Sequence, residues 1–331
     1  MKNIKSVRNI ILNEGMEKMR ANDKNSRTKQ KSKFAKRLSD SKYLLLMIAP
    51  CVLYFIIFKY WPMFGLITSF QNYSVFKGIT GSEWVGFKHY STFFHDPYFF
   101  TVLKNTLLLG IFNTAWNFPM PIILALVINE IRSNKLKKFT QTVSYFPHFI
   151  SVVILCGMVM SCLSPRGGIV NNIVVLFGGK PINFISDPKY FRTIYIASGI
   201  WQTTGWGTII YLAALTGVNV ELYDAAAVDG ANRWQKLWNV TLPAIIPTIV
   251  VVLIMSVGRS VTIGFDKVFL LQNDANISTS EVISTYEYER GIIKGNYSYS
   301  AAIGLFMSVI SSLLVIMTNT ISRKLSDTAL W

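Results

Sequence analysis

The residues that could do covalent or metal chemistry are present, but not at spacings that let them act together. Cys51, Cys156 and Cys162 lie in apolar runs and form no Cys-x-x-Cys pair, so they read as packing residues. His89, His95 and His148 are scattered, and no carboxylate cluster has metal-ligand spacing. Gly178-Gly179-Lys180 is followed by Pro181 rather than Ser or Thr and lacks the upstream glycine of a phosphate-binding loop. Glu281, Glu287 and Glu289 come nearest to an acid–base set.

A second group of residues is polar or aromatic within apolar surroundings. Asn113, Asn117 and Gln202, with Asn105, Thr203 and Thr204, are placed to line a polar route. Trp201, Trp206 and Tyr211 offer flat faces on which a sugar ring stacks, or alternatively pack between helices or in an interfacial belt. Arg259 sits late in an apolar run, where a charge at mid-depth costs about 2.5–3.5 kcal/mol. It is expected to face a water-filled cavity or a partner, or to snorkel to the interface. Gly205 and Gly207 allow close helix approach.

The elements that must position these residues are membrane spans. The chain is 51% hydrophobic and only 15% charged, against about 25% charged for a soluble protein. A bilayer core needs about 20 helical residues, and the apolar runs predict six helices near 43–67, 102–128, 143–163, 194–216, 245–263 and 301–321. Lipid offers a loose backbone no partner, so the expected fold class is an all-α membrane protein. The net charge of +16 does not imply nucleic acid, because residues 1–42 hold thirteen Lys or Arg and four acids and read as a basic, solvated tail. With that tail inside, inner segments carry twenty-one basic residues and outer loops ten. The positive-inside rule therefore places both termini in the cytoplasm of a multi-pass plasma-membrane protein.

The loop at 217–244 then faces the cytoplasm, and its chemistry exceeds that of a connection. Asn219 is a candidate N-cap, and Glu221 and Asp224 put negative charge in the first turn, with Tyr223 between them. Ala225, Ala226 and Ala227 favour helix, and Gly230, after Asp229, is placed to end it. So short a helix is marginal in water and needs a surface to lie on; an alanine face suits a groove in another protein. Trp234, Leu237 and Trp238 follow at helical spacing and predict an interfacial segment, which Pro243 and Pro247 are expected to break from the next span.

This loop resembles the EAA motif of the permease subunits of binding-protein-dependent ABC importers. The match runs Asp224-Ala225-Ala226, then Gly230, then Val240-Thr241-Leu242-Pro243 at the motif's spacing, with Asp for Glu and Val for Ile. A narrower resemblance, to the polysaccharide and oligosaccharide branch, rests on Phe58-Lys59-Tyr60-Trp61-Pro62, Trp84-Val85-Gly86-Phe87, Gly264-Phe265-Asp266-Lys267, Val282-Ile283-Ser284-Thr285-Tyr286 and the terminal Leu330-Trp331. It covers nearly everything from Tyr43 onward.

The resemblance implies a type I ABC importer permease fold and a function in oligosaccharide uptake. It implies a second homologous permease subunit, a cytoplasmic ABC ATPase dimer that binds ATP and Mg, and an extracellular sugar-binding lipoprotein. The chain itself would bind no cofactor and catalyse nothing. Glu221–Gly230 would carry force from the ATPase into the spans for alternating access. Beyond membrane lipid and the sugar no further ligand is implied. Two other classes compete: a membrane-embedded polysaccharide-processing enzyme, which needs paired catalytic acids or a large soluble domain, and a channel, which needs repeated pore-lining charges.

Overall fold

A computed structural model of the chain describes residues 41–260 and 263–325. The basic tail up to residue 40 and the terminal Leu330-Trp331 lie outside the described residues. The chain divides into two compact units, Met1–Gly65 and Leu66–Trp331. In the first, α1 (Lys42–Phe55) continues through a π-helical turn, Ile56–Tyr60, and a short turn, Trp61–Met63, and none of these residues is buried.

A 3-10 stretch, Phe64–Phe70, leads into the second unit. There β1 (Gln71–Asn72) pairs antiparallel with β2 (Glu83–Trp84), Gln71 opposite Trp84, and α2 (Lys88–Phe94) follows. Among the described residues the remaining elements are helical. Helices α3 (Phe99–Asn117) and α4 (Pro119–Glu130) form one rod of 32 residues. Pro119 is tolerated because it occupies the first turn of the new segment, where its missing N–H is not needed.

The expected third span, 143–163, is not one straight helix. Helix α5 (Asn134–Tyr145) runs into a 3-10 turn, Phe146–Phe149, and α6 (Val152–Leu163) leaves it at 97°. Pro147 removes a donor at the bend, and the Ser151 hydroxyl restarts the helix by accepting from Ile154 N–H. The 12 residues of α6 rise roughly 18 Å, short of the roughly 30 Å of a bilayer core.

Helix α7 (Ile169–Leu176) precedes α8 (Pro188–Thr216). Helix α8 begins six residues before the apolar run at Ile194, because the Asp187 carboxylate caps it and Pro188 opens it. After a 70° bend comes α9 (Val220–Val228). Helix α10 (Arg233–Lys236) then passes through a π-helical turn, Leu237–Thr241, into α11 (Leu242–Ser260), giving one rod of 28 residues. The expected break at Pro243 and Pro247 is therefore absent. The wide π turn frees carbonyls just before Pro243, and the ring fits without ending the helix. Helices α12 (Phe265–Leu271), α13 (Ile277–Ser280) and α14 (Ile283–Tyr288) lead to the final rod, α15 (Tyr297–Leu325).

Among the described residues four helices are long and apolar enough to cross a membrane, and six spans result if each bent pair counts once. Three apolar clusters hold the second unit together. Ala125, Tyr211, Leu215 and Ile245 join α4, α8 and α11. Leu109, Cys156, Phe191, Tyr195 and Val268 join α3, α6, α8 and α12. Phe93, Phe99, Ile283, Tyr286, Tyr299 and Ile303 join α2, α3, α14 and α15. Helix α8 packs against α3, α4, α5, α6, α11, α12 and α13, and Gly205 allows its close approach to α5, because a Cβ there would run into the Ser144 carbonyl.

Candidate functional site

Two places in the fold gather the residues singled out from the sequence. The first is the turn around α9. Asn219 accepts from Glu221 N–H at 3.0 Å, and its amide donates to the Glu221 carboxylate at 3.1 Å. One asparagine thus satisfies an orphan donor and holds the acid over the helix N-terminus. At the other end Gly230 has φ +75°, its N–H reaches Ala227 O at 3.1 Å, and Ala231 N–H reaches Ala226 O at 2.9 Å. This is the Schellman pattern, which needs a left-handed residue at Gly230's position.

Between these caps the helix stands free. Glu221, Asp224, Ala225 and Asp229 are exposed and Ala226 is half-buried, while Val220, Leu222 and Val228 are 68%, 51% and 88% exposed. Among the described residues nothing covers this apolar surface of a nine-residue helix. Tyr223 turns the other way, and its hydroxyl meets Thr241 Oγ1 at 2.9 Å. Thr241 is buried and also donates to Lys236 O at 3.3 Å. The Tyr223–Thr241 bond ties α9 to the foot of α11, and residues 217–219 join α9 to the end of α8.

The second place is the elbow at Phe146–Ser151. The Gln202 amide donates to Ile150 O at 2.9 Å, satisfying a carbonyl that the bend takes out of helical pairing. The Trp206 indole lies flat on the His148 ring, 4.5 Å between centroids and 6° between planes, with Phe149 edge-on to it. One face of Trp206 is thus occupied by the chain itself. His148 carried no special weight in the sequence; only the bend brings it to α8.

The other polar and aromatic residues disperse. Asn117 donates to Asn113 Oδ1 at 2.8 Å on α3, and Asn117 Oδ1 is buried without a partner. Near it, over Gly199, lies the ammonium of Lys267, buried on α12, which donates to Tyr195 O at 2.7 Å and sits 4.5 Å from the Tyr195 ring. Trp201 is half exposed and lines an apolar groove of about 500 Å³ with Leu155, Met158, Leu163, Tyr190 and Ile194. Tyr211 is 2% exposed and belongs to the core between α4, α8 and α11, so it lines no route in this structure. Arg259 is exposed on α11, and its Nε reaches only Met255 O, at 3.4 Å. Seven residues expected along one path therefore occupy several surroundings.

The glutamates do not form an acid–base pair. Glu289 is bridged to Lys294 at 2.7 Å. Glu281 is buried, which raises its carboxyl above the ordinary range. Glu287 packs against Gly304 of α15, and burial pushes it up to about 7, the Ser300 hydroxyl pulling the other way. Burial also tends to raise Asp96 nearby, but hydrogen bonds from the Tyr286 hydroxyl and Tyr98 N–H, with the Arg290 charge, hold it below the ordinary range. Among the described residues no three His, Cys, Asp or Glu are grouped to hold a metal ion.

Known proteins resemble this chain in sequence and in fold. The chain is 46% identical to the polygalacturonan/rhamnogalacturonan transport system permease protein YteP of Bacillus subtilis (strain 168) over 295 residues, covering 89% of this chain and 92% of that one. It is 42% identical to Protein LplB of the same organism over 294 residues, with the same coverage. Its fold matches a chain in the crystal structure of a bacterial alginate ABC transporter in complex with an alginate pentasaccharide-bound periplasmic protein. The TM-score is 0.82 at 40% identity, over 89% of this chain and 99% of that one. The model of the family described as the binding-protein-dependent transport system inner membrane component matches residues 117–327, which take in both the elbow and α9. A free-standing capped helix between two spans is thus set within a matched family region, and the chain belongs to the binding-protein-dependent transport system inner membrane components.

Proposed function

We propose that this permease takes up acidic oligosaccharides handed to it by an extracellular sugar-binding lipoprotein. In this reading ATP and Mg are bound and ATP is hydrolysed by a separate cytoplasmic ATPase dimer, and a second, homologous permease completes the pathway. The observation that carries it is the free face of α9, an apolar, acid-flanked helix capped at both ends and tied by Tyr223 to α11. A groove on the ATPase would take Val220, Leu222, Asp224 and the Ala225-Ala226 face; Glu221, Asp229 and Gly230 shape the helix ends. Closing the ATPase dimer would shift α9, and with it α8 and α11, turning the route from inward- to outward-facing. The excess of basic residues on the α9 side supports cytoplasmic termini. Acidic sugars are suggested by the polygalacturonan/rhamnogalacturonan relative and the alginate transporter. The exposed Arg259 is a cation able to meet a uronate.

Purification in mild detergent tests the assembly: an ATPase and a second permease should co-elute with this chain. If the chain elutes alone under conditions that keep it folded, the assembly is wrong. Uptake with matched neutral and uronic-acid oligosaccharides tests the substrate, and equal transport of both would remove the acidic assignment.

A further inference from the structure

Helix α5 is built inside out for a helix in water. The residues turned inward are polar: Lys137, Thr140, Gln141 and Ser144 are half-buried, and Ser144 lies against Gly205 of α8. Those turned outward are apolar at helical spacing: Leu136, Phe139 and Val143, followed by Phe146, are 53%, 66%, 54% and 69% exposed. At 100° per residue these side chains cover one continuous arc. Lys135 and Lys138, both exposed, fill the arc beside it, Arg132 stands just before the helix, and no acid occurs between Arg132 and Tyr145.

The end of the fold at which α5 begins is known from its neighbours. It starts four residues after α4 ends at Glu130, and Ala125 of α4 packs with Leu215 of α8, just before α9. The three cations therefore lie at the same end as α9, and α5 climbs from there to the elbow.

We propose that the outer face of α5 rests in the lipid headgroup layer on the α9 side. Its apolar stripe lies among acyl chains, and Arg132, Lys135 and Lys138 sit on anionic headgroups. Charge decides between this and a protein partner: a subunit covering Phe139 would bury two lysines beside it, whereas on lipid their stems lie along the apolar layer and their ammonium groups reach phosphate. Because α5 runs straight into the elbow held by Gln202 and by the Trp206–His148 stack, the surface that lipid grips is joined to the middle of the route. The inference rests on the chain being a membrane-embedded importer permease.

The test uses the complete importer in vesicles of equal phosphatidylglycerol and phosphatidylcholine, with Phe139, or in a second preparation Val143, replaced by the photo-crosslinker p-benzoylphenylalanine. Illumination should give phospholipid adducts on this chain, with phosphatidylglycerol several-fold in excess, and K135Q/K138Q should cut the excess while adducts persist. A cross-link to another subunit, or an excess unchanged in K135Q/K138Q, overturns the proposal. Binding-protein-stimulated ATP hydrolysis is read in the same vesicles. Normal hydrolysis without lipid adducts sinks the lipid contact alone, whereas adducts without hydrolysis sink the importer reading instead.

Discussion

Replacing Gly230 isolates what the end of α9 contributes. Its φ of +75° is a left-handed conformation, while a Cβ built there meets nothing within 4 Å. Within this chain the penalty for a side chain is therefore conformational and not steric. For a residue with a Cβ it is roughly 1–2 kcal/mol, equivalent to a roughly 5- to 30-fold fall in the population of the native turn. Gly230→Asn should cost least, because asparagine tolerates this region; Gly230→Ala should cost about 1 kcal/mol, and β-branched Gly230→Val the most. The turn bonds Gly230 N–H to Ala227 O and Ala231 N–H to Ala226 O would loosen in the same order. The assay is uptake per ATP hydrolysed by the reconstituted complex. The ratio should fall in the order Asn, Ala, Val, with hydrolysis persisting as transport is lost. Wild-type coupling in Gly230→Val would refute the reasoning. Asparagine as damaging as valine would show that crowding by the docked partner, and not backbone geometry, is why glycine stands there.

Further outcomes follow from single contacts. Tyr223→Phe removes the 2.9 Å bond to Thr241 and should lower uptake per ATP while costing only about 1 kcal/mol in thermal stability; unchanged coupling would remove Tyr223 from the force path. Gln202→Leu leaves the Ile150 carbonyl unpaired at the elbow, a cost of about 1–3 kcal/mol, and should lower the unfolding temperature of the purified complex, with Gln202→Asn recovering none of it if reach is what matters. The Glu287 carboxyl is raised to about 7 by burial, so the folded state holds a proton more tightly than the unfolded chain. Its stabilising effect is full below the ordinary glutamate range and is lost as pH rises through about 7. Melting curves at pH 5 and pH 8 should show the higher stability at pH 5, and Glu287→Gln should shrink the difference; an unchanged difference would assign it to other groups.

What could be read from the residues alone was local or compositional. Asn219, Glu221 and Gly230 announce the ends of α9 because a cap is satisfied by atoms within four residues. Long apolar runs announce membrane-crossing helices, since a bilayer imposes one thickness on every helix. Contacts between distant segments decided the rest. The Pro147 bend is invisible to hydropathy because apolar residues continue through it, and it is held by Gln202, more than fifty residues away. Pro243 and Pro247 predict a break by local rules, yet the rod continues through a π turn whose Thr241 is bonded to Tyr223 of α9. Tyr211 reads as a flat face for a sugar ring or as a packing residue, and Ala125, Leu215 and Ile245 close over it. Lys267 looks like a loop cation and is buried beneath Tyr195. A side chain's type states what it can do, but its surroundings in a membrane fold are set by which helices cross, and that depends on small residues such as Gly205 whose partners lie far along the chain.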